Sequence, residues 1–129
     1  MTKATDQQFL NIAAEAWQAG MAAGLATHPN PMVVIERADP LDDTSAIVKQ
    51  YEPVMGGACG FAWVSFKGNT AFGRWAKKTG LARKDYPTGL AIWVSEFGQS
   101  LEMKAAFANA YARVLETHGI VAYGQSRID

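Results

Sequence analysis

The sequence predicts an α+β fold: one sheet of about four strands, helices packed on it, and a long helix at the N-terminus. Three observations carry this expectation. Apolar residues recur at helical spacing over three stretches, near 9–24, 72–79 and 103–115. Short runs rich in β-branched and aromatic residues lie between and after them, at 32–37, 59–66, 90–97 and 120–125. Glycines and prolines separate the two kinds of segment. With 129 residues and 49% hydrophobic composition, the chain is expected to form a single domain over 1–129, burying roughly two-thirds of its unfolded surface.

Thr5-Asp6-Gln7-Gln8 has the spacing of a capping box. Phe9, Ile12, Ala13, Ala16, Trp17, Gly20, Met21 and Gly24 then share one helix face, to an end at His28-Pro29. At Ala13, Ala16, Gly20 and Gly24 that face is small, so a second backbone can approach it. The approaching element is another part of this chain or, in a homo-oligomer, a second copy. Met32 to Arg37 reads as a strand, 38–44 as a loop bearing Pro and Asp, and 45–51 fits no single pattern. Pro53 and Gly56-Gly57 punctuate before a strand from Cys59 to Phe66. Asn69 or Thr70 can cap a second helix whose inner face holds Phe72, Trp75, Ala76 and Thr79, with Gly80 as its stop. Leu81 to Gly89 reads as a charged loop and Leu90 to Phe97 as a strand. Ser100 caps a third helix with a core stripe of Met103, Phe107, Ala110, Tyr111, Val114 and Leu115; Gly119 stops it, and Ile120 to Gln125 is the last strand. Strands and helices in this order give the fold a ferredoxin-like character, although strand order is not encoded in the pattern.

Twelve Lys+Arg balance twelve Asp+Glu, which excludes a uniformly basic nucleic-acid coater. The balance is uneven along the chain. Residues 1–66 carry a net −4, residues 67–84 a net +6, and residues 85–129 a net −2. The six bases are Lys67, Arg74, Lys77, Lys78, Arg83 and Lys84, with no acid among them. Such a segment attracts phosphate unless folding sets acids from elsewhere beside it. The loop Arg83-Lys84-Asp85-Tyr86-Pro87 adds an aromatic to this cationic rim. A single cysteine, an acidic start and the lack of a long apolar run predict a reducing cytoplasm and no membrane crossing.

Alternation puts Phe61, Trp63 and Ser65 on one face of their strand, and Ala91, Trp93 and Ser95 on one face of theirs. With helices covering the aliphatic faces, Phe61, Trp63 and Trp93 would form an open platform. Unpaired bases stack on such platforms at about 1–3 kcal/mol each, while Lys67, Arg74 and Lys78 would hold phosphates. The string Gly60-Phe61-Ala62-Trp63-Val64-Ser65-Phe66 resembles the RNP1 string of RNA-recognition motifs. That resemblance implies an RNA-binding sheet; Cys59 stands where the string has a base, and no matching RNP2 strand and helix precede it. From Gly56 onward, the strings 56–64, 93–100 and 122–129 resemble small uncharacterised proteins of tailed bacteriophages. This second resemblance implies the bacterial host cytoplasm or the virion as location, and no particular chemistry.

Other chemistry has thinner support. Cys59 as a nucleophile needs His28 or His118 as its base, and no spacing sets either beside it. Asp39, Asp42 and Asp43, flanked by Glu36 and Glu52, match no established cation loop. Gly56-Gly57-Ala58-Cys59-Gly60 precedes a strand, where a phosphate loop should follow one. Glu96, Gln99, Ser100, Ser126 and Arg127 complete a polar pocket only if the last strand adjoins Leu90 to Phe97. The expectation is a non-enzymatic accessory protein that binds nucleic acid or a nucleotide, with no cofactor or metal. Its site would use Lys67, Arg74, Lys77, Lys78, Arg83, Lys84, Tyr86, Trp63, Trp93 and Arg127. The alternatives are a virion-associated protein that self-associates through the first helix, and a small enzyme using Cys59 or the Asp39 to Asp43 carboxylates.

Overall fold

The computed structural model describes residues 3–29, 35–39, 41, 44–50 and 57–129. In chain order the elements are α1 (Lys3–Ala26), β1 (Ile35–Arg37), β2 (Ile47–Gln50), β3 (Gly60–Phe66), α2 (Ala71–Lys78), β4 (Arg83–Lys84), β5 (Leu90–Trp93), α3 (Leu101–Thr117) and β6 (Ala122–Ile128). The strand Met32 to Arg37 is seen from Ile35; Met32 to Val34, Asp42, Asp43 and Tyr51 to Gly56 lie outside the described residues.

Strict alternation along β3 organises the molecule, because every second residue of this strand is buried. Ala62, Val64 and Phe66 point into one core with Leu90, Ile92 and Val94. The helices close that core through Phe72 and Ala76 of α2, Phe107, Ala108, Tyr111, Ala112 and Leu115 of α3, and Ile12 and Ala16 of α1. The sheet is antiparallel throughout, in the order β4-β5-β3-β6. With α2 joining β3 to β4 and α3 joining β5 to β6, this is a split βαβ repeated twice, the ferredoxin-like arrangement the pattern predicts. A separate two-stranded ribbon, β1 with β2, precedes it, so Ile47–Gln50 of the ambiguous 45–51 segment form a strand outside the main sheet, Tyr51 lying outside the described residues.

Several boundaries differ from expectation for local reasons. Helix α1 already runs at Lys3, so Thr5 and Asp6 lie inside its first turns, where Asp6 complements the helix dipole without capping it. Strand β5 stops at Trp93, and Phe97 takes a left-handed φ of 68° that turns the chain toward α3. Arg83 and Lys84, expected in a loop, pair with Ala91 and Leu90 because the Asp85 N–H donates to the Gly89 carbonyl (2.9 Å) and closes a hairpin. Strand β6 runs on to Ile128 because it pairs with the whole of β3, from Phe66↔Ala122 to Gly60↔Ile128. The caps fall at Thr70 and Ser100, whose hydroxyls accept from the Gly73 and Met103 N–H groups. On α3 the buried stripe is Lys104, Phe107, Ala108, Tyr111, Ala112 and Leu115, rotated away from Met103, Ala110 and Val114.

The small face of α1 is filled from within. Helix α1 runs antiparallel to α3: Glu15 meets His118 at 3.0 Å, Gly20 lies under the Phe107 ring, and Gly24 lies under Phe97. A Cβ at Gly24 would stand 2.3 Å from that ring. Ala13, Ala16, Gly20 and Gly24 are therefore covered by this chain itself, and the stripe offers no surface to a second copy. Among the described residues no helix is long and apolar enough to cross a membrane.

Candidate functional site

All three helices lie on the aliphatic side of the sheet, which leaves the other side to the alternate residues. Register arranges them in rows, because directly paired residues share a face. Phe61 stands opposite Arg127; Trp63 stands between Trp93 and Gln125; Ser65 stands between Ala91 and Tyr123, with Arg83 beyond Ala91 on the edge strand. Three aromatic side chains thus adjoin. The Trp63 and Trp93 rings are 4.7 Å apart at 32°, and Phe61 meets Trp93 edge-on at 6.5 Å. Trp93 is 42% exposed and Tyr123 60%, whereas Phe61 and Trp63 are half-buried by their neighbours. The three rings expected on one face therefore adjoin, with Trp93 the exposed one of the three.

Arginines stand at two opposite corners. The Arg127 guanidinium lies over the Phe61 ring at 5.4 Å, a cation–π contact that orients the group without neutralising it. Arg83 is exposed on β4. Lys104, only 6% exposed, runs its stem beneath the sheet's end and brings its amine to the Gly60 carbonyl (3.5 Å) and to 5.9 Å from the same Phe61 ring. Weak hydrogen bonds link the polar middle: Gln125 Nε2 donates to Ser65 Oγ, and Ser65 Oγ to the Tyr123 carbonyl, both at 3.5 Å.

The cationic segment divides between two sides of the molecule. Arg83 belongs to the open face, and Lys67 follows directly on the end of β3. Arg74, Lys77 and Lys78 lie on α2, whose buried residues Phe72, Gly73 and Ala76 face the opposite side of the sheet. These three are separated from Trp63 and Trp93 by a helix and the sheet, which corrects the expectation that Arg74 and Lys78 serve the platform. Lys84 alternates to the helix side, its amine 5.8 Å from the exposed Tyr86 ring. Among the described residues no ion pair joins any of the six bases to an acid.

The polar pocket imagined beside Glu96 does not form, because β3 separates β6 from β5. Glu96 accepts from Trp17 Nε1 (3.0 Å) and from the Ser95 N–H (3.1 Å), and Ser100 caps α3. Cys59 is exposed at the sheet's end and makes a lone bridge to Ser100; His118 is engaged with Glu15. Asp39 accepts from the Leu41 N–H (3.0 Å), as a turn-forming aspartate does. Among the described residues no three metal-ligating side chains converge.

Sequence reasoning missed Tyr123, Gln125 and Lys104. Alternation within 120–125 could have supplied the first two once β6 was known to adjoin β3, and nothing in the pattern marks Lys104 as buried. No protein-family model matches the chain, and comparison with curated proteins and with solved structures returns no match.

Proposed function

We propose that the protein binds single-stranded nucleic acid, without catalysis, on the open face of its sheet. The observation that carries this is the adjoining Phe61, Trp63 and Trp93 rings on the sheet side opposite the helices, flanked by Arg83 and Arg127, neither of which forms an ion pair among the described residues. Flat rings accept any base on their π-faces, and the arginines meet the strand's phosphates. With the phage likeness of the second half, the reading is of a phage accessory protein acting in the host cytoplasm.

Fluorescence anisotropy of a labelled short oligonucleotide, titrated with protein at low and then rising salt, tests it. Trp93→Ala and Trp63→Ala should each weaken binding by about 5- to 150-fold, the equivalent of about 1–3 kcal/mol per stacked base. No binding at low salt, or binding indifferent to both substitutions, overturns the reading.

A further inference from the structure

A cavity of about 600 Å³ opens at the end of the sheet where β3 leads into α2. Its walls are largely apolar, built from Phe9 of α1, Phe66, Phe72 and Ile120. Among the described residues its one charged group is Lys67, and Ser65, Thr70, Thr88 and Tyr123 are its hydroxyl-bearing residues. Among the described residues no carboxylate lines it. The volume lies in the range of small-ligand sites, roughly 300–1,000 Å³, and suits one nucleotide but not a duplex.

The position matters as much as the lining. Ser65 and Tyr123 are directly paired across β3 and β6, and both belong to the cavity and to the open face. Trp63 is two residues from Ser65 on the same face, about 7 Å along the strand. The open face around Trp63 therefore adjoins the cavity mouth, next to Lys67.

We propose that the cavity is a nucleotide subsite, with the base against the Phe9, Phe66 and Ile120 wall and the phosphate at the Lys67 amine. The inference rests on the open-face reading and adds a defined end to it. The apolar wall suits a flat base, and Lys67 suits a phosphate, with no acid beside it among the described lining residues. A free mononucleotide and the unpaired end of a strand share this chemistry.

Calorimetric titration of the full chain with adenosine monophosphate, adenosine, and a short oligoadenylate bearing a terminal phosphate separates the cases. Adenosine monophosphate should bind at least about tenfold more tightly than adenosine. Lys67→Glu should abolish that preference, and Thr88→Trp, at an exposed position on the rim, should block the mononucleotide while leaving the melting temperature unchanged. Strand-end capture is shown if both substitutions also weaken the oligoadenylate; if they weaken only the mononucleotide, the ligand is the free nucleotide. Two results overturn the subsite: adenosine monophosphate and adenosine binding alike, or mononucleotide binding that survives both substitutions. Oligoadenylate binding that depends on Trp93 but on neither Lys67 nor Thr88 overturns strand-end capture alone and leaves the open-face reading standing. The loss of Trp93-dependent binding with mononucleotide binding intact overturns the open-face reading instead.

Discussion

Two residues of α3, Lys104 and Tyr111, place polar groups on a stripe that otherwise reads as core. Lys104 is tolerable because its amine ends at the Gly60 carbonyl, at the margin of the sheet. Tyr111 is only 2% exposed. Burial, and secondarily the negative charge of Glu96, pushes its phenol well above the usual tyrosine range. The folded protein therefore keeps a proton that the unfolded chain releases near pH 10, so stability from this group falls as pH rises above about 10. The limiting slope is about 1.4 kcal/mol per pH unit. Urea unfolding of wild type and Tyr111→Phe across this alkaline range should show a shallower decline in the variant. Parallel declines would mean that the phenol ionises normally in the folded state.

At the scale of elements, close approach explains why glycines occupy the α1–α3 and α3–β6 contacts. A Cβ at Gly124 would meet Asn109 of α3, with its backbone nitrogen only 3.0 Å away and the side-chain Oδ1 nearer still. The α3 backbone cannot yield without moving Phe107 and Tyr111 in the core. Gly124→Ala should therefore destabilise the protein by about 1–3 kcal/mol, read as a lower urea midpoint at unchanged slope. Gly20→Ala differs, because the three atoms nearest its added Cβ all belong to the Phe107 ring, a side chain and not backbone, while it gains about 1 kcal/mol of helix propensity. Its net effect should be smaller than that of Gly124→Ala, and the reverse order would contradict this account of the packing. The small stripe of α1 was legible as a place of close approach, but not its partner. That partner is α3 together with Phe97 just before it, more than seventy residues away in sequence, and periodicity carries no information about which face meets which. Strand β4 was illegible for a related reason: two residues are too few to show alternation, and their pairing is set by the 85–89 turn.

Over the whole molecule, formal neutrality conceals two cationic regions with the sheet and α2 between them. Reading 67–84 as one patch followed from contiguity in sequence, but α2 packs its apolar face inward and so carries Arg74, Lys77 and Lys78 to the far side. The aromatic platform was legible because a two-residue period fixes which side chains share a face, and covering one face opens the other. The corner arginines were less so, because Arg127 reaches Phe61 only through the β3–β6 register. A helix is about 10 Å across, so the α2 bases sit beyond one screening length of the platform at 0.15 M salt, about 8 Å. If a strand lies on the open face, Arg83→Glu with Arg127→Glu should weaken oligonucleotide binding strongly. The same pair should flatten the dependence of log affinity on log salt by about 1.4, the contribution of two phosphate contacts on a single strand. Lys77→Glu with Lys78→Glu changes the net charge equally, yet should leave that slope nearly unchanged. Equal losses from the two pairs would mean that net charge, and not the open face, attracts the ligand; a larger loss from the α2 pair would place the binding surface on the helical side.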